Sequence, residues 1–302
     1  MSKVIRIGTR DSELALWQAN TVKTRLESLG YVTELVAVKS TGDLELTKPL
    51  YELGITGIFT KTLDIAMLNG TIDVAVHSMK DVPTLLPKAI VQTAVLERAS
   101  AEDILITKTD FNFNWNCTIA TGSLRRKAQW LNRYPHHEVV GLRGNVNTRL
   151  KKLADSEWDG AIFARAGLER INLLPSDFIS LNWMTPAPAQ GAMVVVALQD
   201  DDYCIQATKQ LNHKESDICT RVEREFLQVL EGGCTAPIGA YARITNNNIL
   251  FKGILLSLDG GTKIETEKIV ALNNSEGAGK SLALEILENG GKELMKSIKE
   301  SS

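Results

Sequence analysis

An alternation of strands and helices runs through the first two thirds of the chain and restarts once. Val4 to Gly8 reads as a strand. Leu14, Trp17, Val22, Leu26 and Leu29 then recur at helical spacing, and Gly30 ends that helix. Val32 to Val38 is a second strand, Thr60 to Leu68 a short helix, and Ile72 to His77 a third strand. This β-α-β order implies a mostly parallel sheet with right-handed crossovers. After ERASAED (97–103) the pattern begins again. Strands are expected near 104–107, 117–121, 138–142 and 160–164, and helices at 123–134, 145–155 and 165–172. MTPAPAQGA (184–192), with two prolines among small residues, interrupts the pattern and reads as a stiff connection back toward the first unit. A strand from Met193 to Leu198 and a helix from Asp202 to Leu211 follow.

From about 213 the character changes. A helix carrying Ile218, Val222, Phe226 and Leu230 ends at Gly232-Gly233. Three strand-like runs follow, joined by Asn246-Asn247-Asn248 and Asp259-Gly260-Gly261, and then one final helix with Leu282, Ile286, Leu287, Leu294 and Ile298. At 302 residues the chain is too long for one small core. The expected division is a first α/β lobe of residues 1–97 with 190–212, a second α/β lobe of 98–189, and a small α+β domain of 213–302.

Thirty-four basic against 36 acidic residues leave a net charge of −2, without the basic excess of a general nucleic-acid binder. No leader-like start and no run near the roughly 18 apolar residues of a membrane span is present, so a cytoplasmic protein is expected. Cys117, Cys204, Cys219 and Cys234 form no CxxC pair and have no histidine at ligand spacing, so neither a metal site nor a disulfide frame is expected. Cys117, Cys204 and Cys219 fall in or beside regular elements and read as small buried hydrophobes. Cys234 follows two glycines at a helix end, on a loop. His77 reads as structural, and His136, His137 and His213 as surface residues.

Ligands of open α/β sheets bind beyond the carboxyl ends of strands, and four loops occupy such positions. The first is Thr9-Arg10-Asp11-Ser12, and the second runs from His77 through Ser78, Met79, Lys80 and Asp81 to Pro83. The third is Thr121-Gly122-Ser123-Leu124-Arg125-Arg126. There Ser123 can cap a helix, Gly122 permits close backbone approach to a ligand, and two guanidinium forks suit carboxylate or phosphate. The fourth repeats this logic with Arg143, Gly144, Asn145 and Arg149. Four arginines at two strand-to-helix junctions point to an anion site. Asp81, beside Lys80, reads either as a turn residue or as an acid placed to move a proton and stabilise a cation.

TRDSELALWQA, AVHSMKDVPT, TGSLRRKAQ, LRGNVNTRL, AGLERI, PAPAQGA and EGGCTAPIGAYA, in this order and spacing, resemble the porphobilinogen deaminase family over roughly residues 3 to 245. The resemblance implies a transferase of tetrapyrrole (haem) biosynthesis that condenses four porphobilinogen molecules head to tail, releasing ammonia and then hydroxymethylbilane. It implies an α/β fold of two periplasmic-binding-protein-like lobes with mostly parallel sheets, plus a small α+β C-terminal domain. It also implies a dipyrromethane cofactor held by a thioether to Cys234, with Asp81 as catalytic acid. By the same resemblance Arg10, Ser12, Phe59, Ser78 and Lys80 contact cofactor and substrate. So do Thr121, Ser123, Arg125, Arg126 and Arg143, and Gly144, Asn145, Arg149, Arg170 and Gln190. A monomer without nucleic-acid or membrane partners is the family's usual state. The chain departs from the family pattern at Glu52 and Thr56, where many members carry lysines, and at Gly122, Asn147 and Arg165. Two readings outside enzymology stay open on the residues alone. One is a two-lobed anion-binding protein without catalysis; the other is a regulatory effector domain, for which no DNA-binding helix pair precedes the lobes.

Overall fold

The computed structural model describes residues 3–38, 60–108, 111–230 and 236–300. Three sheets organise them. The first has the order β2-β1-β3-β10-β4, built from β1 (Val4–Thr9), β2 (Val32–Ala37), β3 (Val74–Ser78), β4 (Ile90–Val95) and β10 (Met193–Leu198). The second has the order β7-β6-β8-β5-β9, from β5 (Asp103–Thr107), β6 (Thr118–Ala120), β7 (Glu138–Val140), β8 (Gly160–Ala164) and β9 (Ile179–Ser180). In each, four strands point one way and one runs against them: β10 in the first sheet, β5 in the second. The two reversed strands are those that enter each sheet directly after the chain has crossed from the other. Both sheets are therefore mostly parallel in direction and alike in layout, which is the α/β fold expected of the two lobes.

Sequence pattern separates central from edge strands. β3 and β10 read as nearly unbroken apolar runs and are buried along their length, as strands covered on both faces require. β2 alternates and lies at an edge. β4 was not expected from the sequence. Its run Ile90-Val91-Gln92-Thr93-Ala94-Val95 does not alternate cleanly, and among the described residues it pairs only with β10, through a register shift at Val195/Val196. Helix α1 (Glu13–Ser28) buries Ala15, Gln18, Ala19, Val22 and Leu26, one stripe at 3.6-residue spacing, against Ile5, Ile7, Val74 and Val76. Helix α2 (Lys61–Leu68) covers the same sheet from its other side through Leu63 and Met67. In the second sheet, α3 (Leu124–Arg133), α4 (Val146–Asp155) and α5 (Arg165–Arg170) follow β6, β7 and β8. His137 corrects the sequence reading: it is buried, accepts from Trp130 Nε1 at 3.1 Å, and stacks on Tyr134.

Helix α6 (Asp202–Lys209) packs Cys204 and Ala207 into the first core. Helix α7 (Lys214–Val229) then leads to an antiparallel meander of β11 (Ile238–Thr245), β12 (Asn248–Leu256) and β13 (Lys263–Ala271). Val222 and Phe226 of α7 share a core with Ile249, Phe251 and Leu255, closed by α8 (Ala278–Ile286) and α9 (Lys292–Glu300). The sequence implied one terminal helix there. The structure has two, because Gly290 takes φ +97° and Asn289 leaves helical geometry, a conformation that glycine adopts without a Cβ penalty.

The two crossings between the sheets lie side by side, with Ala99 N donating to Gly191 O at 3.2 Å. Glu223 of α7, wholly buried, joins them to the third sheet. Its carboxylate accepts from Arg98 Nη1 at 2.6 Å, Ala189 N at 2.6 Å and Ala242 N at 2.7 Å. No described helix is long and apolar enough to cross a membrane.

Candidate active site

A cleft of about 450 Å³ opens where the carboxyl ends of β1, β3, β7 and β8 face one another. Its basic side chains are Arg10, Lys80, Arg126, Arg143, Arg149 and Arg170, against the acids Asp11 and Asp81. Ser12, Ser78, Gly144 and Asn145 line it as well. Of the residues singled out in the sequence, Thr121, Ser123, Arg125 and Gln190 do not line the cleft but stand behind its wall. Cys234 and Phe59, with Glu52 and Thr56, lie outside the described residues.

The wall is built around a buried carboxylate that sequence reasoning missed. Asp103, fully buried at the start of β5, accepts from Arg125 Nη1 at 2.7 Å, Arg126 Nη2 at 2.8 Å and Gln190 Nε2 at 2.8 Å. Arg125 also donates to Thr185 O, and Arg126 to Ile162 O, both inside the protein. Arg125 is therefore a structural cation, whereas Arg126 reaches both Asp103 and the cleft. Burial alone would push the Asp103 carboxyl up. The guanidiniums of Arg125 and then Arg126 overcome this and hold it well below the usual carboxylate range. Nothing in Glu102-Asp103 distinguishes this acid from its neighbour in sequence; only the fold buries one of them.

Its stability contribution has a defined sign. A carboxyl whose folded pKa lies below its unfolded value stabilises fully above the unfolded pKa, about 4, and that contribution is lost as pH falls toward the folded value. Removing one member of a buried ion cluster costs about 3–5 kcal/mol. Asp103→Asn is accordingly expected to destabilise the protein by that order at pH 7, with the difference from wild type shrinking below pH ~4. Denaturant melts at several pH values check this, and equal stability at pH 7 would remove Asp103 from its structural role.

Gln190 carries the cluster to the cleft. Its Oε1 accepts from Lys80 Nζ at 3.3 Å while its Nε2 serves Asp103 and Ala101 O. Lys80 is open to cleft water yet walled by protein. That enclosure, followed by the Arg126 charge, brings its ammonium down to about 8. Burial, then the charge of Arg126, lowers Arg149 to about 10, and burial does the same to Arg170. Arg149 Nε donates to Gly144 O at 2.7 Å, and Arg170 Nη2 to Gly191 O at 2.7 Å. Arg170 also lies over the Trp17 ring, joining α5 to α1 across the cleft. Crowded like charges that are lowered in this way gain when an anion enters.

Helix starts supply the remaining geometry. Asn145 Oδ1 caps α4, accepting from Thr148 N at 2.9 Å, and Ser123 Oγ caps α3, accepting from Arg126 N. Both polar side chains are committed to caps; the fourth loop lines the cleft through Arg143, Gly144 and Asn145, whereas the third reaches it through Arg126 alone. Gly122 serves a different end from the ligand approach expected of it. A Cβ there would stand 2.4 Å from Leu142 O, so the glycine lets the third and fourth loops touch. Gln18 was overlooked although it left a signal, being the one polar residue in the buried stripe of α1. It donates to Ser78 Oγ at 2.8 Å in the cleft wall. His77, buried beneath the loop, is pushed down to about 3, by burial and then by Arg10, and is neutral above that pH.

Residues 5–206 match the family model described as porphobilinogen deaminase, dipyromethane cofactor binding domain, and residues 218–288 match porphobilinogen deaminase, C-terminal domain. The chain is 41% identical to a porphobilinogen deaminase of Campylobacter curvus, with 99% of this chain and 98% of that one covered. It is 40% identical to a porphobilinogen deaminase of Nitratiruptor sp., covering 96% of each. Among solved structures it is similar to an arginine transport-system periplasmic binding protein of Legionella pneumophila, at a TM-score of 0.40 and 12% identity over 70% of this chain and 92% of that one. With both family models in chain order and relatives matched nearly end to end, the chain belongs to the porphobilinogen deaminase family, as a transferase of tetrapyrrole biosynthesis that uses a dipyrromethane cofactor.

Proposed function

We propose that this enzyme joins four porphobilinogen molecules head to tail, releasing four ammonia molecules and then hydroxymethylbilane, on a dipyrromethane attached through a thioether to Cys234. The observation that carries the reading is the convergence of Arg10, Lys80, Arg126, Arg143, Arg149 and Arg170 on one cleft with Asp81 among them. Each pyrrole unit brings an acetate and a propionate, so a growing chain accumulates carboxylates, and guanidinium forks bind carboxylates with directional, charge-assisted hydrogen bonds. The same cation-rich wall fits the carboxylates of the cofactor. When bound, that group supplies the electron-rich pyrrole end to which the first substrate unit is joined.

In this reading Asp81 gives the proton with which the substrate's amine departs as ammonia. Its carboxylate then stabilises the cationic azafulvene left behind and takes up the proton lost after carbon–carbon bond formation. Arg10, Arg143, Arg149 and Arg170 hold carboxylates, Lys80 adds a further cation, and Arg126 anchors the deep wall through Asp103. The thiols of Cys204 and Cys219 are pushed up to about 12 and about 11, in both by burial first. They are poor nucleophiles where they stand, which supports Cys234 as the attachment point. We read residues 1–97 with 190–212 and residues 98–189 as the two lobes, 213–302 as the attachment domain, and the working unit as a cytoplasmic monomer.

Incubation of purified protein with porphobilinogen tests the whole reading. About one ammonia per substrate consumed and a linear tetrapyrrole are expected. Binding without ammonia release would make the chain a two-lobed anion-binding protein instead. Within the reading, Thr56→Ala is expected to leave KM nearly unchanged, because the residue brings no charge. Arg143→Ala is expected to raise KM roughly 10-fold or more, or to stall elongation, as the loss of about 1.5–3 kcal/mol from one charged hydrogen bond requires. Steady-state kinetics decide, and equal effects of the two changes would make the loop around Thr56 a binding element.

A further inference from the structure

Arg224 stands on α7, one residue beyond Glu223, and turns the other way. Glu223 holds the crossings, whereas Arg224 enters the loop that carries Lys80 and Asp81. Its Nη1 donates to Met79 O at 3.3 Å and to Val82 O at 2.9 Å, and its Nη2 donates to Pro83 O at 2.5 Å. These carbonyls belong to residues flanking Lys80 and Asp81 on both sides. The loop has little regular structure of its own beyond the single turn Met79–Asp81, closed by Val82 N to Met79 O at 3.2 Å. It begins at β3, whose last residue, Ser78, pairs with Met193 of β10. Beyond Asp81, the contacts of Arg224 fix its backbone.

This cation satisfies carbonyls rather than a carboxylate, in a setting dry enough that burial lowers it to about 10. A planar fork serves these acceptors from two separate nitrogens in fixed directions, whereas the three donors of a lysine radiate from one. The helix that carries it ends at Val229, and Cys234 follows five residues later in the sequence.

We infer that Arg224 is a positioning residue for the reaction: from the third domain it clamps the backbone around Asp81, so that the carboxyl is aimed into the cleft by the same helix that leads to the cofactor-bearing loop. The inference rests on the reading of Asp81 as the proton-transfer group. A carboxyl must sit within hydrogen-bond reach of the proton it moves, and a displacement of about 1 Å can cost on the order of 10²-fold in rate. Releasing the clamp should therefore lower kcat while KM, set by arginines on other loops, changes little.

The test compares Arg224→Met, Asp81→Asn and the double variant, with activity counted per cofactor-loaded molecule by the colour that an aldehyde reagent gives with pyrroles. Arg224→Met is expected to lose roughly 10–100-fold in kcat with KM within about threefold. Amide hydrogen exchange should quicken at Met79 to Val82, with other segments unchanged. The double variant should be about as slow as Asp81→Asn alone, since Arg224 acts through Asp81, whereas a merely structural arginine would give multiplied losses. Arg224→Lys should recover part of the rate. Wild-type kcat in Arg224→Met beside an impaired Asp81→Asn overturns the clamp. An unimpaired Asp81→Asn overturns instead the role of Asp81. Should Arg224→Met fail to fold, Arg224→Lys carries the test through a kcat several-fold below wild type with the same local exchange signature, and wild-type values in it overturn the proposal.

Discussion

Cys234→Ser is expected to abolish turnover and to yield protein whose intact mass equals that computed from sequence, while wild type is heavier by one dipyrromethane. Peptide mapping should place the addition on the fragment from Glu231 to Ile238. The chemical reason is that a thiolate is a strong nucleophile toward an azafulvene-type electrophile, and the thioether it forms resists hydrolysis. A serine hydroxyl at the same place is a far weaker nucleophile at neutral pH. The variant should still fold, because the described residues build separate cores of their own around Ile7 and Val195, around Ile104 and Phe163, and around Phe226 and Phe251. An unmodified Cys234 in fully active protein would falsify the assignment. So would the addition found on Cys117, Cys204 or Cys219, although the structure buries all three.

Asp81→Asn should lower turnover by at least about 10²-fold, the lower bound for a lost general acid–base group, while leaving the cofactor in place. The amide keeps the size and hydrogen bonding of the carboxyl but can neither release a proton nor offset a positive charge. Asp81 lines a cleft together with six basic side chains, which in the proposed reaction hold the substrate's carboxylates. Among the acids lining that cleft, it shares its loop with Lys80 and is clamped from α7 through Arg224. Normal turnover at saturating porphobilinogen would remove Asp81 from the chemistry and leave the cleft as a binding surface alone.

The organisation of these residues was partly open to sequence reasoning. Periodicity located α1 through Leu14, Trp17, Val22, Leu26 and Leu29, although the stripe that the structure buries is Ala15, Gln18, Ala19, Val22 and Leu26, with Trp17 and Leu29 exposed. Unbroken apolar runs located β3 and β10, since a strand covered on both faces has no polar side to show. Glycine and a capping residue before a helix, followed by arginines, lead to the expectation of anion-facing third and fourth loops, because capping and helix-start donors are properties of a few neighbouring residues; the structure brings the fourth loop and Arg126 of the third to the cleft. Such local signals survive in a linear sequence.

The division of labour among the basic residues did not survive there. Arg125 and Arg126 are neighbours with the same chemistry, yet one is spent on Asp103 and Thr185 O inside the protein while the other also faces the cleft. That difference depends on Asp103, 22 and 23 residues away, which is itself held by Gln190, 87 residues further on from Asp103. Glu223 and Arg224 are likewise adjacent, and only packing sends one to the crossings and the other to the Asp81 loop. The sequence by itself determined the two-lobe layout, the loops at the strand ends and most of the strand–helix order, β4 and the break between α8 and α9 excepted, because these rest on local propensity and on the period of burial. Which charge is buried, which is paired and which is aimed at a ligand was decided only by the tertiary structure. Ion pairing and desolvation depend on distances in space, and those distances join residues that the chain holds far apart.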